Sequence, residues 1–277
     1  MASDRENLLK VESHFQFGDN WSNFADGLDE AAVARAMDDL LRLLPRERLA
    51  GARLLDIGSG SGLSAVAALR LGCASVRAVD LDPQSVATSR RVLQRFVPDG
   101  AWQADRVSVF DLDPAADGRF DIVHSWGVLH HTGAMWRALD QASRLVRPGG
   151  TLAVALYAKT PVCGFWRWEK RLYTKAPEWV RSVIRGVFKA AYLAALLAQG
   201  RSPATYVREY RTKRGMNWSH DVHDWLGGYP YESATPAEVE SFFATRGFRL
   251  EDSHVRQAPA AGLFGSPCNE FRFRSGS

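Results

Sequence analysis

The chain has 277 residues, 46% of them apolar and 24% charged, proportions that fit one globular α/β domain with an elaboration and leave disorder to the ends. Three widely spaced cysteines, Cys73, Cys163 and Cys268, with no CxxC pair, argue against a disulfide framework and a zinc knuckle. The net charge of +4 is uneven, because Leu156 to Arg214 holds 13 Lys/Arg against Glu169, Glu178 and Glu209, about +10, which leaves about −6 elsewhere.

The first ten residues are charged and lack the apolar core of a signal peptide, and no apolar run approaches a transmembrane length, so a cytoplasmic protein is expected. From Leu54 to Ala155, short β-branched runs alternate with longer amphipathic ones. Strands are expected at Arg53–Ile57, Ser75–Asp80, Arg106–Phe110, Phe120–Trp126 and Gly150–Tyr157, and helices at Gly62–Leu71, Pro83–Phe96 and Ala134–Val146. That alternation predicts a parallel sheet with helices on both faces and a ligand at the carboxyl ends of its strands. After Tyr157 the chain turns helical, aromatic and basic for nearly eighty residues. Alternation resumes with a helix over Thr235–Arg246, opened by the capping signal Thr-Pro-Ala-Glu, and strands at Phe248–Val255 and Asn269–Arg274.

The strongest local signal is "LLDIGSGSGLSAVAAL", Leu54 to Leu69: a buried strand, a glycine turn and a helix start. Gly58, Gly60 and Gly62 spell GxGxG, and Leu63 stands where a dinucleotide fingerprint needs its third glycine, which weakens a nicotinamide oxidoreductase reading. Asp80 closes the second strand, where a carboxylate can accept hydrogen bonds from both hydroxyls of a ribose. With "VFDLD" (Val109–Asp113), "FDIVHSWGVLHH" (Phe120–His131) and "RLVRPGGTL" (Arg144–Leu152) in the same order, the chain resembles the class I S-adenosylmethionine-dependent methyltransferases over roughly residues 50 to 157.

The resemblance implies a Rossmann-like, doubly wound seven-stranded sheet, mostly parallel with its last strand antiparallel. It also implies S-adenosyl-L-methionine as cofactor. Gly58, Ser59 and Gly60 would line the methionine moiety, with Asp56 supporting the turn and Gly62 completing it. Asp80 would take the ribose diol, Leu81 would pack on adenine, and Phe110 and Asp111 would meet its edge. Ser125 would offer its carbonyl near the ammonium or sulfonium end. "HFQFGDNWSNF", His14 to Phe24, also resembles the start of some bacterial members and reads as a lid with Phe17, Asn20 and Trp21 over the cofactor, or as a helix packed on the sheet edge. The domain organisation expected is an N-terminal helical lid (1–49), the cofactor core (50–157), a helical basic and aromatic cap (158–232), and a C-terminal helix and strands completing the core (233–277).

The turn after the fourth strand sets the chemistry. Ser125-Trp126-Gly127-Val128 is not the Asn/Asp-Pro-Pro-Tyr-like turn of nucleobase N-methylation, no cysteine lies near it, and the nearest acid is Asp140. Metal-independent transfer to oxygen is the expectation. Transfer to nitrogen or to a carboxylate, including a modified peptide's terminus, is the alternative, and a nicotinamide oxidoreductase or a non-catalytic cofactor binder are readings of another class. His130 and His131 follow that strand and are candidates for a base, with loop capping or packing as the ordinary alternative. No metal is expected there, because no Asp, Glu or Cys accompanies them locally.

"RGMNWSHDVHDWLGGYPYE", Arg214 to Glu232, concentrates aromatic and hydrogen-bonding groups and reads as the wall of an acceptor pocket, with His220 and His223 as further catalytic candidates. The basic excess suits a small anionic or aromatic acceptor, or a peptide. Nucleic acid is not expected. Arg181, Arg185 and Lys189 recur every four residues beside "AAYLAALLA", which predicts a helix docked by its apolar face with its charges in solvent. A homodimer contact or an anionic membrane surface are the alternatives for that helix, and membrane contact is not expected.

Overall fold

The computed structural model describes residues 18–214 and 218–276, the side chains of residues 19, 211–214, 220, 259 and 260 excepted. Before the sheet come α1 (Gly18–Asp26), α2 (Glu30–Leu43) and the single turn α3 (Arg46–Leu49). The Asp29 carboxylate caps α2 by accepting from the Ala32 N–H at 2.8 Å, which satisfies one of its free donors. Then β1 (Arg53–Ile57), α4 (Leu63–Arg70), β2 (Ser75–Asp80), α5 (Pro83–Phe96), β3 (Trp102–Arg106), the short α6 (Pro114–Asp117), β4 (Phe120–Trp126), α7 (Met135–Arg144) and β5 (Val146–Tyr157) alternate. Helices α8 (Cys163–Lys175), α9 (Glu178–Ala198), α10 (Pro203–Arg214) and α11 (Trp218–Gly227) follow, and α12 (Pro236–Ala244), β6 (Phe248–His254) and β7 (Cys268–Ser275) complete the fold.

The seven strands form one sheet in the order β3-β2-β1-β4-β5-β7-β6. All pairings are parallel except those of β7, which runs antiparallel to both β5 and β6. Strand periodicity divides the core in two. Leu54 and Ile122 face the side covered by α2, α4 and α5, while Leu55, Ile57 and Val123 face α7 and α12. The chain reverses its winding between β1 and β4, so their carboxyl ends flank the crevice where such sheets bind ligands. The capping signal before α12 is a complete capping box, in which Thr235 Oγ1 accepts from the Glu238 N–H and Glu238 accepts from the Thr235 N–H.

Two sequence expectations need correction. The third strand occupies Trp102–Arg106, not Arg106–Phe110, and Val109–Asp111 is a 3₁₀ turn. β3 is the sheet's edge and buries only Ala104, so it lacks the apolar run that marks a central strand, whereas Val109 enters the core beyond the strand's end. The second correction concerns α9. Its basic stripe is turned toward α8 and α11 rather than into open solvent: Arg181 donates to the Tyr173 carbonyl at 3.0 Å and Arg185 to the Tyr173 hydroxyl at 2.9 Å, while Lys189 donates to Ser219 Oγ at 2.8 Å on the surface. The cap has its own small core of Trp166, Tyr173, Val222, Leu226 and Tyr231, joined by Phe188 of α9.

Candidate active site

At the carboxyl end of β1 the chain passes through Gly58, Ser59 and Gly60, whose first two N–H groups donate to the Val79 carbonyl at 2.7 and 3.1 Å. Gly58 and Gly60 both hold a positive φ, and neither site has room for a side chain. A Cβ on Gly58 would stand 2.4 Å from Val128, and one on Gly60 would stand 3.0 Å from the Trp21 indole. Val128 after β4 packs on the turn at Gly58, and Trp21 on α1 packs on it at Gly60. Below it, Asp56 is buried: Oδ1 meets His124 Nδ1 at 2.8 Å, and Oδ2 is buried with no protein partner. The pair forms because β1 and β4 register Asp56 beside His124. Ser59 and Ser89 join hydroxyls at 3.0 Å, and Ser89 Oγ donates to the Gly60 carbonyl, tying the turn to α5.

At the end of β2 each Asp80 oxygen accepts one backbone N–H, from Gly60 at 3.0 Å and from Asp82 at 2.9 Å. Burial pushes this carboxyl up to about 6, against the pull of those two N–H groups. Leu81 beside it is half-buried. Phe110 is half-buried under the Arg137 guanidinium, 4.9 Å from the ring centroid, and Asp111 is exposed. Ser125 is buried, its hydroxyl donating to the Ile57 carbonyl at 2.9 Å, which braces β4 on β1 beside the glycine turn. Phe17 lies outside the described residues. These groups fit an adenosyl cofactor with an amino acid end: a backbone cradle that excludes side chains, a buried carboxylate oxygen beneath it, and a second carboxylate at the neighbouring strand end.

The two histidines after β4 differ in kind. His130 is fully buried, its ring 3.9 Å from that of Tyr157, and its Nδ1 accepts from the Tyr157 N–H at 3.3 Å. Burial, with His131 and Lys170 behind it, holds His130 well below the usual imidazole range. His131 is half-buried, with Nδ1 2.8 Å from the Pro230 carbonyl. A carbonyl only accepts, so Nδ1 carries the proton and Nε2 has the acceptor lone pair. Gly228 makes room for the ring, since a Cβ there would lie 2.8 Å from His131 Cε1. Tyr157 stands edge-on to His131 at 5.2 Å. Burial first, then Cys268, Tyr231 and the acids of α11, keeps the Tyr157 phenol protonated well above its usual range.

His223 points into the cap, its Nδ1 2.6 Å from the Tyr173 hydroxyl and 3.3 Å from Arg185. The His220 backbone lies in α11 and its side chain lies outside the described residues. Two groups that the sequence reading left out of the site, His124 and Tyr157, belong to this region, and two that it placed only within the Arg214–Glu232 stretch, Asp224 and Gly228, take particular places in it. His124 is the partner of Asp56. Asp224 accepts from Asn20 Nδ2, linking α11 to α1, and burial pushes its carboxyl up to about 7. Tyr157 and Gly228 shape the wall around His131. The density of polar and aromatic residues between Arg214 and Glu232 signals Asp224 and Gly228, while nothing in the sequence singles out His124 or Tyr157. Among the described residues no group of three or more His, Cys, Asp or Glu is placed to hold a metal ion.

A family model described as a methyltransferase domain matches residues 28–251. The chain is 34% identical over 148 residues, 51% of its length, to 27-O-demethylrifamycin SV methyltransferase of Amycolatopsis mediterranei. It is 28% identical over 208 residues, 75% of its length, to a ubiquinone biosynthesis O-methyltransferase of Xanthomonas euvesicatoria. The matches span 50% and 66% of those two relatives. The fold is shared with magnesium protoporphyrin IX methyltransferase from Synechocystis with bound SAH, at a TM-score of 0.52 and 13% identity over 89% of this chain and 84% of that one. It is also shared with a 1,6-didemethyltoxoflavin-N1-methyltransferase from Burkholderia thailandensis, at a TM-score of 0.51 and 20% identity over 100% and 88%. With the family match extending from α2 to β6 across the glycine turn and the strand-end carboxylate, the chain belongs to the class I S-adenosylmethionine-dependent methyltransferase superfamily.

Proposed function

We propose that the protein is a metal-independent O-methyltransferase that acts on a hydroxyl group of a small aromatic or anionic acceptor, with His131 as the base. The observation that carries this reading is the His131 ring, fixed by the Pro230 carbonyl so that its basic nitrogen is Nε2, on the wall that follows β4. The two curated O-methyltransferase relatives support oxygen as the acceptor atom.

S-adenosylmethionine supplies an electrophilic sulfonium methyl, and the protein's task is to hold an acceptor in line with it and exclude water. The Gly58-Ser59-Gly60 turn, with Gly62 behind it, cradles the methionine part, and Asp56 stiffens that turn from below. Asp80 accepts from the ribose hydroxyls, which favour its ionised form against the effect of burial. Leu81, Phe110 and Asp111 receive the adenine, the Ser125 carbonyl faces the ammonium or sulfonium end, and Trp21 closes over the glycine turn. His131 takes the acceptor's hydroxyl proton at Nε2 as the oxygen attacks. His130 stays neutral and fixes the loop, and the protonated Tyr157 phenol is available to orient an acceptor oxygen.

The test is methyl transfer to a panel of phenols, catechols, alcohols and carboxylates by the native protein and His131→Ala. Loss of a positioned base lowers the rate on hydroxyl acceptors by about 10²- to 10⁴-fold while cofactor affinity is kept. An undiminished rate in the variant removes His131 from the chemistry, and activity confined to carboxylates replaces hydroxyl with carboxyl methylation.

A further inference from the structure

The outward faces of α8 and α9 expose more large apolar side chains than any other part of the described residues. Phe165, Trp168 and Leu172 on α8 and Trp179, Val183, Val187 and Leu197 on α9 make up most of the exposed large apolar side chains among the described residues. Trp168 is 62% exposed, Val187 65% and Trp179 71%. Monomeric surfaces scatter such residues singly. Here the faces turned toward the rest of the cap are already used by Trp166 and Tyr173 of α8 and by Arg181, Arg185, Phe188 and Lys189 of α9, so the outer set has no protein core left to join.

The exposed charges of α8 are of one sign. On α8 the exposed ionisable residues are Arg167, Arg171 and Lys175, and the helix's single acid, Glu169, is buried. On α9 the single acid, Glu178, is bound to Arg185. Tryptophan, phenylalanine and leucine interleaved with arginine and lysine are the chemistry of a helix lying in the headgroup region of a bilayer, with apolar side chains at the acyl boundary and cations among anionic headgroups. Neither helix is long and apolar enough to cross a membrane. A second copy fits the surface less well. A two-fold contact brings the same cationic face onto itself, with Glu178, already paired with Arg185, as the one exposed acid on the two helices to answer Arg167, Arg171 and Lys175.

The geometry points to docking of the α8–α9 face on an anionic lipid surface, with the helices lying in the interface. From the sequence, an anionic membrane surface is only an alternative for α9, carried by its cations; in the structure the surface that would meet lipid is the opposite, apolar face together with the cations of α8. This docking does not rest on the identity of the methyl acceptor, and its failure leaves the proposed reaction untouched.

The full-length protein is sedimented with vesicles of phosphatidylcholine containing one-third phosphatidylglycerol, and with phosphatidylcholine alone, at low and high salt. Two variants accompany it, Trp168→Glu with Leu172→Glu and Arg171→Glu with Lys175→Glu. All four side chains are exposed, and circular dichroism checks the fold. Native protein is expected to co-sediment with the anionic vesicles, at least about tenfold more weakly in each double variant and at high salt. Methyl transfer to a water-soluble acceptor is expected to be unchanged in both variants. No binding of native protein to anionic vesicles at low salt overturns the proposal, as does equal binding by the variants. A dimer in light scattering that the same substitutions dissociate also overturns it and assigns the face to a second copy.

Discussion

Adding one methyl group at Gly228 tests the role proposed for His131 without touching the imidazole. Gly228 is not in the left-handed region, so alanine meets no backbone penalty there. Its Cβ would stand 2.8 Å from His131 Cε1 and 3.4 Å from Nε2. Carbon atoms rest at about 3.5–4.0 Å, so the ring must move by about 0.7 Å or more. It has little room to do so, because Nδ1 is held 2.8 Å from the Pro230 carbonyl and the His130 ring lies 4.3 Å away. Displacing a catalytic group by about 1 Å costs on the order of 10²-fold in rate. Overpacking should also lower stability by about 1–3 kcal/mol. Steady-state methyl transfer and a thermal melt separate the two effects. The expected result is a folded Gly228→Ala protein with a modestly lowered Tm, nearly normal affinity for S-adenosylmethionine and a kcat reduced by about two orders of magnitude. A folded variant whose kcat stays within about twofold of native refutes the positioning argument.

Other parts of the account are open to the same kind of check. Asp80 must be ionised to accept from the ribose, and its carboxyl lies at about 6, so cofactor affinity measured by equilibrium dialysis should fall about tenfold from pH 7 to pH 5. Asp80→Asn should remove that pH dependence and weaken binding by about 100-fold or more through lost charge-assisted hydrogen bonds. Neither oxygen of the buried Glu169 has a partner, and burial raises its carboxyl above the usual range despite Lys170 beside it. A raised acid stabilises the fold at low pH and loses that contribution as pH rises through its displaced pKa. Glu169→Gln should therefore melt at a higher temperature than native protein at pH about 8 and at a similar temperature at pH about 5. Asn20→Ala removes the bond from α1 to Asp224 and should weaken cofactor binding by about fivefold in the same dialysis assay.

The sequence was most informative where function is carried by a short contiguous stretch. Strands β1, β2 and β4 lie where the buried runs predicted them, and the glycine turn and Asp80 meet through the Gly60 N–H. Edge strand β3 was displaced because exposure on its outer side lets Gln103 and Asp105 sit within it, while the more strand-like Val107–Phe110 turns into the core beyond it. The Asp56–His124 pair was not legible, since it depends on the register of two strands 68 residues apart. The difference between His130 and His131 was equally hidden: one ring is buried by Tyr157 and the other is turned by Pro230, both far along the chain. For α9 the periodicity revealed two faces but not their direction. Its cations turn toward α8 and α11 because the Tyr173 carbonyl and hydroxyl and the Ser219 hydroxyl wait there as acceptors.

The account's central claim is that the β1 glycine turn and Asp80 bind S-adenosylmethionine, and calorimetric titration of the native protein tests it most directly. Saturable one-to-one binding of S-adenosylmethionine, with no heat from NADH under the same conditions, is the predicted result. No binding of S-adenosylmethionine, or NADH binding of equal strength, would contradict it.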